Sequence, residues 1–231
     1  MMNKWLEDLK SLRGAWLFTA GVFYVLFLLS FLLSDEPRDL FFFNEMFMIP
    51  LVILITVVLF QKEFGGYFTE VFATLPLSMG KLIMRKLLQL FLAIVLLHGL
   101  WSFLYRLKFN ELQTTVYSYF NEGIVQESSW IDLFLQSAPS YAAATSVTLT
   151  GLVLTKKVYG GLGAGFALWM FEVISQGRFL GQWTFFTVHI PEGISFTGNR
   201  MGLLSAFVIL VAFSIFLASK REKWLISDDS Y

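Results

Sequence analysis

Residues Gln61–Lys86 read QKEFGGYFTEVFATLPLSMGKLIMRK and lie between two strongly apolar runs. A stretch so placed is a loop or short helix at a membrane surface. From Phe64 to Leu75 the apolar residues recur at helical spacing: Phe64, Tyr67 and Phe68, Val71 and Phe72, Leu75. Glu63 and Glu70 stand seven residues apart, which puts both carboxylates on nearly the same side of such a helix. Pro76 cannot continue the helix with a normal hydrogen bond and ends it. Ser78, Gly80, Lys81, Arg85 and Lys86 then lead back into apolar sequence. The spacing predicts a polar-edged aromatic helix held between two spans, which is a docking element. A bare cluster of Phe68, Val71, Phe72 and Leu75 would be an exposed sticky patch, the usual mark of a partner site.

Composition fixes the setting. The chain has 231 residues, of which 56% are hydrophobic, 18% aromatic and 15% charged, with a mean hydropathy of +0.66. Soluble domains carry about 25% charged residues, so this is a membrane protein. The absence of cysteine excludes disulfides, a thiolate nucleophile and cysteine metal sites. No Arg- or Lys-rich block points to nucleic acid. Leu33-Ser34-Asp35-Glu36 offers no small-residue cleavage site after the first apolar run, so that run reads as a retained span.

A span needs about 20 apolar residues to cross a hydrocarbon core about 30 Å thick. Six stretches meet or approach that length: residues 14–33, 41–60, 87–105, 133–155, 158–175 and 201–219. The second carries Glu45 near one end and Pro50 as a kink, the third His98, the fourth Pro139 and the fifth Glu172. Gly160, Gly161, Gly163 and Gly165 weaken the helix propensity of the fifth. Residues 2–13 read as an amphipathic interfacial helix, with Trp5, Leu9 and Leu12 on one face and charges around the other. With the N-terminus inside, Arg38, Arg106, Lys108, Arg178 and Arg200 fall on outer segments and the other 12 of the 17 basic residues fall inside. The expected fold is therefore an all-α membrane protein. It is a single transmembrane domain over 1–231, with six transmembrane helices, both termini cytoplasmic and a cytoplasmic helix between spans 2 and 3. Residues 106–132 read as an ordered cap or interfacial helix, and the aromatic segment 177–200 as more than a free loop.

The loop also carries a resemblance. Glu63, Gly65-Gly66, Thr69-Glu70, Leu75-Pro76-Leu77-Ser78, Lys81 and Lys86 together resemble the signature loop of type-2 ABC-transporter permeases. In that family the loop joins the second and third spans and inserts into a separate ATPase subunit. The resemblance implies that Glu63, Tyr67, Phe68, Glu70, Val71, Phe72, Leu75 and Pro76 couple the chain to a cytoplasmic ATP-binding subunit. ATP and Mg would be bound by that partner, and a second permease chain, identical or paralogous, would complete the path. It further implies a short re-entrant helical hairpin between the last two spans and a place in the cell (plasma) membrane. A hydrophobic or amphipathic cargo, such as a peptide or lipid-like molecule, suits a bundle this apolar.

The residues agree that nucleotide is not bound here. Gly80-Lys81 is followed by Leu82, and position 75 is Leu, so the phosphate-loop pattern G-x-x-x-x-G-K-[ST] fails twice. His98 and Glu172 are the candidates for a transport path, because ionisable groups inside spans are costly. The bland readings are a neutral His98 bonded to a neighbouring helix, and a Glu172 sitting at the outer interface near Arg178. Gly161 and Gly165 satisfy the small-xxx-small spacing, read first as packing within the bundle. No catalytic or metal site is expected: the two histidines, His98 and His189, form no H-E-x-x-H pattern. Two other classes stay open. One is an intramembrane enzyme using Glu172, His98 or His189; the other is a non-transporting scaffold or immunity protein.

Overall fold

The structure, a computed structural model, describes residues 15–34, 40–64, 78–110, 112–116 and 124–220. The predicted N-terminal helix over 2–13 lies outside them, as do residues 65–77, which hold nearly all of the predicted coupling helix. The described residues are helical apart from one hairpin and the connecting turns. Among the described residues five helices are long and apolar enough to cross a membrane, so the chain is a multi-pass membrane protein.

Helix α1 (Ala15–Leu32) buries one stripe, Ala20, Tyr24, Phe27 and Phe31, at spacings of four and three residues. Its other faces are apolar and exposed at Phe18, Val25 and Leu26, as a span facing lipid requires. A π-helical segment, Phe42–Phe47, runs directly into α2 (Met48–Phe64). Pro50 explains it: the ring lacks an N–H and crowds the carbonyl four residues back, and the wider π turns relieve that conflict. The sequence reads Pro50 as a kink; the accommodation lies in the turns before it. This span is the core of the bundle, with 78% of its apolar window buried against 22% for α1.

Helix α3 (Met79–Phe109) is longer than the predicted 87–105 because both ends are capped. Ser78 accepts from the Lys81 amide, and Asn110 closes the far end at φ 63°. Lys108 Nζ donates to the carbonyls of Phe31 (3.0 Å), Leu32 (2.6 Å) and Ser34, which adds to the Ser34 amide in capping the C-terminus of α1. Beyond α3 stands an antiparallel hairpin, β1 (Gln113–Val116) with β2 (Ile124–Glu127), in the register Gln113↔Glu127 and Val116↔Ile124. The β-branched Thr114, Thr115, Val116, Ile124 and Val125 favour strands, so the cap is not the interfacial helix considered from sequence.

Helix α4 (Trp130–Thr155) opens with a capping box between Ser129 and Asp132. It has the length of a span but not the apolarity, and it is not one of the five. Its buried Ser137, Ser140, Thr145, Ser146, Thr148 and Thr150 are the reason. Thr148 and Thr150 each bond the carbonyl four residues back, which spares a hydroxyl buried among helices its desolvation cost. Lys156 at φ 55° turns the chain into α5 (Val158–Ser175). Gly161 and Gly165 face inward onto α4 and α2, so their spacing serves packing within the bundle. Helix α6 (Phe196–Ser219) starts five residues earlier than the predicted 201, capped by Ser195. Between α5 and α6 the chain makes two single-turn 3-10 helices, Gly181–Trp183 and Thr187–His189, instead of a helical hairpin.

Candidate functional site

Most polar side chains of the bundle interior gather into one hydrogen-bonded seam. It begins at His98 on α3, whose Nε2 lies 2.7 Å from Asn44 Oδ1. Asn44 Nδ2 donates to Ser137 Oγ (2.6 Å) and to the Leu133 carbonyl (3.1 Å), so Oδ1 is the acceptor and His98 carries its proton on Nε2. Ser102 lies one turn further along α3, with its Oγ 3.5 Å from His98 Nδ1. Tyr141 donates its hydroxyl to the Asn44 backbone carbonyl. The neighbouring residue, Glu45, shares Ser137 and reaches on to Thr187 and Arg200. Its Oε2 accepts from the Thr187 amide (2.8 Å), and its Oε1 lies 3.4 Å from Ser137 Oγ and 3.8 Å from Arg200 Nη2. Both residues sit in the π segment, and Ser137 on α4 touches each of them.

Arg200 carries the seam on. Its Nη1 donates to Ser140 Oγ (2.5 Å) and to the Phe185 carbonyl (3.4 Å), and Ser140 also donates to Phe185 (2.6 Å). Asn199 Nδ2 donates to the carbonyls of Gln182 (2.8 Å) and Thr184 (3.1 Å). Thr184 leads to the last member, Glu172 on α5. Its Oε2 accepts from Thr184 Oγ1 (2.7 Å) and its Oε1 from the Leu180 amide (2.7 Å). His98 and Glu172 are both 0% exposed. They stand at the two ends of this seam, each with its own partners, and do not meet as a catalytic pair.

Two carboxylates thus hold the segment 176–190, Glu172 at Leu180 and Thr184 and Glu45 at Thr187. Gly177 at φ 78° allows its entry, since a Cβ there would come within 2.4 Å of His189 Cβ. Burial holds the His189 imidazole below its ordinary pKa, with the Glu172 carboxylate opposing the shift. Replacing Glu172 with alanine is expected to orphan the Leu180 amide and the Thr184 hydroxyl at about 1–3 kcal/mol each. Hydrogen exchange at Leu180 should then quicken by about ten- to a hundredfold. An unchanged rate would mean that the segment is held by its apolar side chains alone.

The predicted coupling residues divide sharply. Glu63 is described and buried, its Oε2 2.5 Å from Lys86 Nζ, and the same ammonium donates to the Leu59 carbonyl. This pair ties the end of α2 to the second turn of α3, the two helices that flank the loop. Tyr67, Phe68, Glu70, Val71, Phe72, Leu75 and Pro76 lie outside the described residues. Among the described residues, no three His, Asp or Glu side chains gather as a metal site. Asn44, Glu45 and Arg200 are the functional candidates that sequence reasoning passed over. The one signal for them was an acid inside an apolar run.

Comparison with protein families, with curated proteins and with solved structures found no match to this chain.

Proposed function

We propose that this chain is the membrane-spanning subunit of an ATP-driven exporter of the type-2 ABC kind, moving a hydrophobic or amphipathic cargo such as a peptide or lipid-like molecule. In this reading α4 is the sixth span, and its hydroxyls are tolerable because neighbouring helices, not lipid, surround them. Both termini are cytoplasmic, the membrane is the plasma membrane, and a second permease chain completes the path. A separate cytoplasmic subunit binds ATP and Mg, and no chemistry is done by the chain itself.

The observation that carries the reading is the buried Glu63–Lys86 pair at the mouth of the signature loop. Closure of the ATPase displaces the loop, and the pair delivers that displacement to α2 and α3 together. Because α2 is the most buried span, movement there reaches every helix packed on it. Phe68, Val71, Phe72 and Leu75 would fill a groove on the ATPase, with Glu70 at its polar rim.

The test uses the full chain purified in detergent. An ATP-hydrolysing subunit is expected to copurify. Glu70→Lys together with Phe72→Asp should remove both that subunit and the hydrolysis while elution on size exclusion stays unchanged. A wild-type preparation without ATPase activity, or a double variant that keeps it, overturns the proposal.

A further inference from the structure

Between α3, α4 and α6 the surface holds an open groove of about 350 Å³. Its cause is local. On α4 the small Ala138, Pro139 and Ala142 face Leu87, Leu90, Phe91 and Ile94 of α3, which recur at one-face helical spacing. The bulk missing from α4 is not replaced from α6, whose Leu204 and Phe207 form the third wall. Phe134 and Tyr141, both buried, add to the lining on α4. The Tyr141 hydroxyl is engaged by the Asn44 carbonyl of the polar seam.

We infer that this groove seats one hydrocarbon chain of a membrane lipid. The volume falls within the range of about 300–1,000 Å³ found for ligand sites, and the walls offer no charged group to hold a headgroup. The rim is apolar and open: Phe91 is 50%, Leu135 62% and Leu204 38% exposed. On a multi-pass membrane protein such a rim borders hydrocarbon, so acyl chains are what stand at its mouth. Burying apolar area does not drive entry, since lipid tails are already out of water. The drive is packing. An unfilled groove forfeits dispersion contacts on every wall, and a flexible chain restores them where rigid side chains cannot reach.

A second copy of this chain fits the groove poorly. Helices in bilayers approach each other through small residues, whereas this rim is bulky. The glycines left open on the spans, Gly21, Gly99, Gly163 and Gly202, are not among the groove's walls, and Gly151, Gly161 and Gly165 are packed inside. The inference does not depend on the ATPase reading, because it needs no partner and no movement.

The test reconstitutes the full chain in phosphatidylcholine vesicles containing phosphatidylcholine with a diazirine at mid-chain. After irradiation, peptides covering 87–94 and 134–142 should carry several-fold more adduct than the lipid-exposed face of α1 around Phe18 and Leu26. Ala142→Trp, which fills the groove, should lower that labelling to the α1 level. Ala138→Phe should do the same and decides the matter if the first variant does not fold. Groove labelling no higher than on α1, or labelling untouched by a folded variant, overturns the inference. So do crosslinks joining two copies through these peptides, which would give the groove to a second chain.

Discussion

Glu45→Ala is expected to destabilise the purified protein by about 3–5 kcal/mol, the cost of leaving one member of a buried ion pair without its counter-charge. Arg200, 5% exposed, would face the interior with its Oε1 partner gone, and the Thr187 amide would lose its acceptor. Arg200→Ala should cost a similar amount, because it leaves the Glu45 carboxylate buried without its counter-charge. The double variant Glu45→Ala with Arg200→Ala should cost clearly less than the sum of the two, since no unpaired charge remains. Thermal melting of the detergent-solubilised protein reads all three. Additive losses would show that the two residues are held by their separate hydrogen bonds and that the 3.8 Å pair carries no coupling.

That pair also marks where sequence stopped being informative. Apolar length alone locates the helices, and α5 is a continuous helix over the predicted 158–175 despite its glycines. Boundaries slip where caps decide them. Ser195 starts α6 early and so brings Arg200 into the bundle, although its charge reads as an outer-segment residue. Glu45 and Arg200 are 155 residues apart in the chain, and no local spacing encodes a contact of that kind. The same holds for Glu172, whose partners arrive with a segment of 3-10 turns that apolar periodicity does not describe. Ser and Thr on α4 lower its apolarity because its neighbours are protein, and composition cannot tell a wet face from a buried one. The hairpin went unread for another reason: its strands are four residues each, too short for alternation to stand out among polar neighbours.

The largest packing effect is expected where α4 meets α5. A Cβ added at Gly151 would lie 2.7 Å from Ala164 Cβ, 2.7 Å from the Gly160 carbonyl oxygen and 3.2 Å from Gly161 Cα. Two of these three atoms are backbone, so no rotamer change can make room, and the helices themselves must separate. Separation is resisted one turn further along α5, where Gly165 brings its backbone close to Ile53 of α2 and Thr148 of α4. Gly151→Ala should therefore cost about 1–3 kcal/mol, the usual scale of overpacking, and Gly151→Leu should leave no folded protein. Gly163, on the same helix, has nothing within 4 Å of an added Cβ. Gly163→Ala should instead stabilise by about 0.5–1 kcal/mol, through helix propensity alone. Melting temperatures that move in opposite directions for the two alanine variants are the expected result. Equal shifts would mean that the close approach of α4 and α5 does not hold in the membrane-extracted protein.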